Sequence, residues 1–389
     1  MPKIKHTALE LAAVKAAEKA NVKEALEKQV DGEKKQPLTF GLEFKFVLKV
    51  DGNELRDGES GFLILKHNTQ EARDTVREYI RHVILSAAKR EPHVVGYHKL
   101  YGIEIGTWNV TDDVEIQSRV CENKFSGSKR YSVELVSPES RFDENRYKQI
   151  REVCEAVVSK CRIEINLTCN LHVHIGNNDN ISLNYSVLQK LSAILWTFGP
   201  HIKRLHQKLP SKEAWRCIPF GRDDAVPEYA QDPTKGLEAI LQCNDMDDLD
   251  RIVRIKEERC AYSTFKMFQE LPGTKDDSSG IQYDENYEQL DPGKTFEFRQ
   301  HSATFDHQEV LNWLFVCADL VRLAQAMDLK VLGNLLRTWI KVPVGKDLFI
   351  LVRIVRKVLH LPEVANYYAV KGKVVDEGDE LEQIDRGWQ

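Results

Sequence analysis

Residues 169–176 have the sequence Cys-Asn-Leu-His-Val-His-Ile-Gly, in which aliphatic and histidine side chains alternate. Side chains two positions apart on a β-strand point to the same face. The three aliphatic residues therefore share one face, which predicts contact with a hydrophobic core. His172 and His174 share the other face, where their positions lie roughly 6.5 Å apart along the strand.

Three more stretches, residues 40–46, 131–135 and 295–301, show the same alternation and predict strands of the same kind. Their polar faces carry Glu43 and Lys45, then Glu134, and finally Glu297, Arg299 and His301. Any one such face needs no site, because an antiparallel sheet tolerates polar residues on its solvated side. Solvated faces favour Thr, Ser, Lys and Gln, however, whereas these four carry mainly Glu, His and Arg. Glu and His bind divalent cations and Arg clamps phosphate or carboxylate, so together the faces predict one site.

The remaining pattern mixes strands and helices and predicts an α+β fold with one dominant antiparallel sheet. Apolar residues at helical spacing predict helices at residues 7–28, 71–90, 145–160, 186–209, 307–327, 347–359 and 362–368. Further strands are predicted at 103–116 and 163–176. Asp306 and Glu309 have the spacing of a capping box at the start of one helix. Residues 210–279 are rich in Pro, Gly and Asp, which predicts long loops around short elements.

Composition limits the partners and the compartment. The 389 residues carry a net charge of −5, so no global basic field favours nucleic acid or an anionic membrane. No apolar run is long enough to span a bilayer, and the N-terminus lacks the apolar core of a signal peptide. The eight cysteines never form a Cys-x-x-Cys pair, which predicts reduced core residues and a cytoplasmic location. The sequence does not indicate an oligomeric state.

Four blocks of this sequence resemble the signature blocks of the putative amidoligase family and occur in its order. They are FGLEFKF (40–46), VELVSP (133–138), CNLHVHIG (169–176) and TFEFRQHSATFD (295–306). Trp108, Val110 and Asp113 are similar to the family's Trp-x-Val-x-x-Asp segment, and Asn312-Trp313 to its Asn-Trp pair. The resemblance spans roughly residues 38–325, and its specific parts are HVHIG and FEFRQH. The family belongs to the group of glutamine synthetase and glutamate–cysteine ligase.

The resemblance implies a glutamine synthetase-like catalytic domain, in which an antiparallel sheet flanked by helices forms a funnel. It implies an ATP-dependent carbon–nitrogen ligase that uses Mg²⁺ or Mn²⁺ and joins a carboxylate to an amine through an acyl phosphate. The substrates would be small molecules or peptides. We accordingly divide the chain into an N-terminal helical or partly disordered extension (1–36), the amidoligase-like domain (37–330), and C-terminal helices with an acidic tail (331–389).

The resemblance also implies roles for individual residues. Glu43, His172 and Glu297 match the family's ligands for the metal that contacts the ATP phosphates. Glu134 matches an acid that serves a substrate-side metal, and Arg299 matches the arginine on the transferred phosphate.

Two residues have open roles. His174 is a second metal ligand, a substrate contact, a base for the amine, or a histidine bonded to neighbouring backbone. Asp113 contacts substrate or nucleotide, or only forms a turn.

The sequence departs from the family at Lys45, where the family usually has a second glutamate. A lysine cannot ligate a cation, so the substrate-side metal loses one ligand here. Either the Lys45 ammonium replaces that charge, by neutralising a carboxylate substrate or pairing with Glu134, or the chain is an inactive relative. We favour the first interpretation, because an inactive protein would have no reason to keep the other site residues.

Two alternatives to a ligase remain. A catalytically degenerate nucleotide-binding or scaffold protein of the same fold would be stabilised by ATP without releasing phosphate. A metal-dependent hydrolase would use the His-x-His pair for zinc, would need further histidines, and would have no need of Arg299.

Overall fold

The computed structural model describes residues 37–51, 54–56, 62–64, 70–88, 93–94, 107–111, 116, 128–166, 168–177, 183–206, 229, 231–253, 262–264, 295–344 and 348–372. The predicted helix at 7–28, Asp113 and the acidic tail lie outside these residues.

The described strands are β1 (Leu38–Asp51), β2 (Glu54–Arg56), β3 (Phe62–Ile64), β4 (His93–Val94), β5 (Asn109–Thr111), β6 (Ser128–Val136), β7 (Ser140–Arg141), β8 (Ile163–Glu164), β9 (Asn170–Asn177), β10 (Tyr262–Thr264) and β11 (Thr295–Ser302). Nine of them form one sheet in the order β10-β11-β9-β1-β6-β5-β4, with β7 and β8 also paired to β1. Within the described sheet the pairs are antiparallel except β4–β5, which is parallel. β2 and β3 form a separate two-stranded sheet.

The described helices are α1 (Gln70–Ala88), α2 (Glu144–Lys160), α3 (Tyr185–Ile202), α4 (Pro233–Gln242), α5 (Met246–Val253), α6 (His307–Ala326), α7 (Leu329–Trp339), α8 (Phe349–Lys357) and α9 (Pro362–Gly372). Mixed helices and a mainly antiparallel sheet confirm the α+β prediction. The strand predicted at 163–176 is two strands, β8 and β9, and α3 is followed by a 3₁₀ turn, Lys203–His206. None of the helices in the described ranges is apolar over a stretch long enough to cross a membrane.

The aromatic and aliphatic face of the central strands is the core side of the sheet, as the alternation predicts. Phe44 stacks on Phe305 with ring centroids 5.3 Å apart, and Phe298 meets Trp313 of α6 edge-on at 6.4 Å. The aliphatic side chains of β9 on this face are fully buried. Helices therefore cover one face of the sheet, and the predicted site residues belong to the other.

The alternation prediction is wrong at His301, because β11 contains a bulge. Phe298 pairs with Val173 and His301 pairs with Leu171, so Arg299 and Gln300 lie together opposite His172. An extra residue in one strand shifts every later side chain to the opposite face. His301 accordingly lies on the helix side, with its ring 5.4 Å from that of Trp313.

The first turn of α6 is capped, but only half of the predicted capping box forms. Asp306 Oδ1 accepts hydrogen bonds from the N–H groups of Gln308 and Glu309. The Asp306 N–H donates to Thr304 Oγ1 rather than to Glu309. The Glu309 carboxylate instead accepts from the Thr304 hydroxyl and pairs with Lys371 of α9. This glutamate therefore ties the C-terminal helix to α6.

The cysteines within the described residues are buried thiols: Cys154, Cys161, Cys169, Cys243 and Cys317. Burial raises the pKa of Cys154 and of Cys161 to about 12. Cys154 and Cys161 are thus core residues with unreactive thiols, as predicted, and Cys121, Cys217 and Cys260 lie outside the described residues.

Candidate active site

The strand register brings the predicted site residues from four adjacent strands onto one face. Glu43 on β1 pairs with His172 on β9, and Glu297 on β11 pairs with His174. On the other side of β1, Lys45 pairs with Glu134 of β6. Ser137 fixes this register, since its hydroxyl accepts from the Leu42 N–H and its own N–H donates to the Leu42 carbonyl.

His172 forms the floor of the cluster. Its side chain is 0% exposed, and its Nδ1 lies 2.9 Å from Glu43 Oε2 and 2.9 Å from Glu297 Oε1. Its Nε2 is buried without a hydrogen-bond partner among the described residues.

His174 lies nearer the solvent and meets the same two carboxylates. Its Nε2 is 3.0 Å from Glu43 Oε1 and 3.8 Å from Glu297 Oε1. Its Nδ1 is 3.1 Å from the hydroxyl of Thr295, which fixes the orientation of the ring. Sequence reasoning missed Thr295, although its position two residues before Glu297 places it on the same face.

Arg299 lies within the bulge and remains on the site face. Its Nη1 donates to both oxygens of Glu297, at 3.0 and 3.1 Å. The Arg299 side chain is 29% exposed, whereas that of Glu297 is 11% exposed. The bulge thus directs a guanidinium toward the solvent side of the cluster, a common use of bulges beside functional sites.

Lys45 and Glu134 form a second, adjoining pair. Lys45 Nζ lies 3.2 Å from Glu134 Oε1, and the two side chains are 7% and 16% exposed. This pairing with Glu134 is one of the two contacts predicted for Lys45, and whether it replaces the charge of a metal stays a prediction. Asp113, the remaining predicted contact, lies outside the described residues.

The electrostatics of the cluster favour a cation between the two carboxylates. Burial alone raises the pKa of Glu43, but the charge of His174 and hydrogen bonds with both histidines outweigh it and hold the pKa well below its usual range. Burial also raises the pKa of Glu297. The hydrogen bond with His172 and the charges of both histidines outweigh burial and lower the pKa of Glu297 below its usual range. Burial lowers the pKa of His174, but Glu43 and Glu297 outweigh this and raise it to about 9. At neutral pH a positive imidazolium therefore lies against two negative carboxylates.

The same atoms fit a divalent cation. Ligand atoms of Glu43, His174 and Glu297 all lie within 4.8 Å of one another. His172 Nδ1 adds a fourth donor, 2.9 Å from a carboxylate oxygen of each glutamate. Adjacent ligands on an octahedral ion with bonds of about 2.1 Å are themselves separated by about 3 Å, which matches these spacings. Carboxylates suit Mg²⁺ and Mn²⁺, whereas imidazoles suit ions such as Zn²⁺ and Fe²⁺, so this mixed set of donors fits a divalent cation without selecting one.

Comparison with known families found a match over most of the chain. The model of a family described as "Putative amidoligase enzyme" matches residues 20–321, a range that contains every residue of the site. No curated protein matches the chain.

Proposed function

The chain belongs to the amidoligase family, and from this premise we propose that it is an ATP-dependent carboxylate–amine ligase. The proposed fold is that of a glutamine synthetase-like catalytic domain, whose sheet holds the nucleotide on its polar face. The proposed substrates are a carboxylate and an amine carried by small molecules or peptides.

One observation carries the proposal: Glu43, His172, His174, Glu297 and Arg299 converge from three adjacent strands on one face of the sheet. Two acids and two imidazoles beside a guanidinium are the groups needed to hold a cation and a phosphate together. Because Arg299 contributes nothing to a simple zinc hydrolase, its place against Glu297 favours phosphoryl transfer.

The chemistry must replace a poor leaving group. A carboxylate cannot release oxide, so one of its oxygens attacks the γ-phosphorus of ATP, and ADP leaves. The resulting acyl phosphate is attacked at carbon by the amine, which loses a proton as phosphate departs. Negative charge builds on the phosphoryl oxygens during the first step.

The residues of the site act on that charge. A divalent cation held by Glu43, Glu297 and the two histidines would supply positive charge to the phosphate oxygens. Arg299 adds a fixed guanidinium whose planar donors match phosphate oxygens. Its pairing with Glu297 holds it in place before the nucleotide arrives, which is the preorganisation that electrostatic catalysis requires. Thr295 acts as a positioning residue, because its hydroxyl lies 3.1 Å from His174 Nδ1.

The test measures ADP release with Mg²⁺ or Mn²⁺, ATP and a pool of amino acids and amines. We expect Arg299→Ala and Glu297→Gln each to lower the rate by about a hundredfold or more, the usual cost of losing one such contact. Arg251→Ala is the matched control for Arg299→Ala, because Arg251 is an exposed arginine paired with Asp248 on α5. Glu363→Gln, an exposed change on α9, is the control for Glu297→Gln.

Each outcome assigns the protein to one class. Amine-dependent ADP release that is lost only in the site variants supports the ligase. ATP-induced thermal stabilisation without ADP release would instead indicate a nucleotide-binding protein of this fold. Hydrolysis supported by zinc alone, and unchanged in Arg299→Ala, would indicate a hydrolase and end the proposal.

A further inference from the structure

Lys45 and Glu43 are two positions apart on β1 and point to the same face, so the Lys45–Glu134 pair lies roughly 7 Å from the metal-binding group along the strand. Both partners are largely buried, and their residues lie directly opposite each other in the β1–β6 register. Such a pair is retained in a buried place only when the two charges compensate each other.

A divalent cation is electrostatically disfavoured at Glu134. The ammonium of Lys45 lies 3.2 Å from Glu134 Oε1 and already balances the charge of this carboxylate. A cation placed beside it would meet a like charge in a poorly solvated environment. Among the described residues, the acids and imidazoles that gather into a group with metal-binding spacing are those around Glu43 and Glu297.

We infer that this site binds one divalent cation and that the Lys45 ammonium is a permanent built-in charge in place of a second. The inference rests on the proposed function and deepens it, because it assigns the positive charge beside Glu134, the acid that the family resemblance links to a substrate-side metal. Its consequence is a single metal-binding event, with Glu134 held by a lysine whether or not metal is present.

The test counts bound ions in the absence of nucleotide and substrate. Mn²⁺ alone is titrated into the full chain, and free Mn²⁺ is measured by electron paramagnetic resonance. We expect wild type to bind about one equivalent. Lys45→Glu places a carboxylate opposite Glu134 and should add a second equivalent. Lys49→Glu makes the same charge change on the same strand face but opposite Arg130, and should remain at one.

A neutral double variant keeps the test decisive if Lys45→Glu fails to fold. Lys45→Met with Glu134→Gln removes both charges and should still bind one Mn²⁺ with wild-type affinity. Two equivalents in wild type, no gain in a folded Lys45→Glu, or loss of binding in the double variant would each overturn the inference. One Mn²⁺ with no ADP release would leave this inference standing while the ligase proposal fails.

Discussion

On the polar face of β11, Glu297 lies 2.9 Å from His172 and 3.8 Å from His174, while on the helix face of the same strand His301 lies 3.6 Å from Glu309. The two regions use the same residue types with opposite electrostatic results. On the polar face, two carboxylates raise the pKa of His174 to about 9. On the helix face, burial lowers the pKa of His301 despite the opposing effect of Glu309.

The pKa values of His174 and His301 shift in opposite directions because different groups supply the positive charge beside the carboxylates. Glu309 is already paired with Lys371, and Lys371 also acts to lower the pKa of His301. The negative charge of Glu309 is thus already balanced, and this helix-side group belongs to the core. The polar-face group brings two acids together around imidazoles, and additional positive charge stabilises it. The polar-face acids can therefore accept a further cation beside Arg299, whereas the helix-side acid is already balanced by Lys371.

The largest expected effect is a loss of stability when Trp313, which packs against the helix face of β11, is truncated. Trp313 is fully buried and contacts both Phe298 and His301. Trp313→Ala should lower the free energy of unfolding by about 3–5 kcal/mol, because a large cavity opens under β11. Urea denaturation measures it, and Trp313→Phe should lose clearly less. A loss for Trp313→Ala below about 1 kcal/mol would contradict the packing described for this face.

The same substitution on the two faces should separate them by metal affinity. Glu297→Gln should weaken Mn²⁺ binding by about a hundredfold or more, since even groups that only orient ligands contribute about 10–100-fold. Glu309→Gln should leave Mn²⁺ affinity within about twofold of wild type, because Glu309 lies behind the sheet. Isothermal titration with Mn²⁺ measures both. Equal losses of Mn²⁺ affinity in the two variants would contradict the assignment of the metal-binding residues to the polar face.

The Glu309–Lys371 pair on the helix side should affect stability, although it should not affect metal affinity. Glu309→Gln should lower the free energy of unfolding by about 1 kcal/mol, a modest value because the Lys371 side chain is 36% exposed and solvent screens the pair. Lys371→Met should cost a similar amount, and the double variant should cost less than the sum. Chemical denaturation of the three variants checks this. Strict additivity would show that the two charges do not interact.

A smaller effect is expected from pH. The pKa of His301 is lowered on folding from about 6.5, so the unfolded chain binds more protons as the pH falls below that value. Stability is therefore present above about pH 6.5 and is lost as the pH falls toward the folded pKa. His301→Gln should remove part of this slope, at most about 1.4 kcal/mol per pH unit. His82→Gln, an exposed histidine of α1, is the control. Identical pH profiles for wild type and His301→Gln would contradict the lowered pKa.

The sequence predicts the strands of the site well, because period-two alternation decides which side chains share a face. Glu43, His172, His174, Glu297 and Arg299 follow from that rule and from the family resemblance. Which strands are neighbours does not follow, since pairing depends on contacts between distant parts of the chain.

The bulge at Arg299 and Gln300 also escapes the pattern, because it inserts one residue without changing the composition. One signal was present: continued alternation would have placed the polar Gln300 on the core face after Phe296 and Phe298. A polar residue at a core position of an otherwise regular strand is a reason to expect a register change. The Lys45–Glu134 contact was one of two alternatives in the sequence, and only the register of β1 and β6 selects it.

The most direct test of the central claim is a crystal structure of the protein with Mn²⁺ and ADP, analysed by anomalous diffraction. We expect a manganese peak within about 2.5 Å of a carboxylate oxygen of Glu43, one of Glu297, and a ring nitrogen of His172 or His174. We expect Arg299 to face the phosphates. A manganese ion bound away from these residues, or ADP on the helix side of the sheet, would contradict the assignment of this face as the active site.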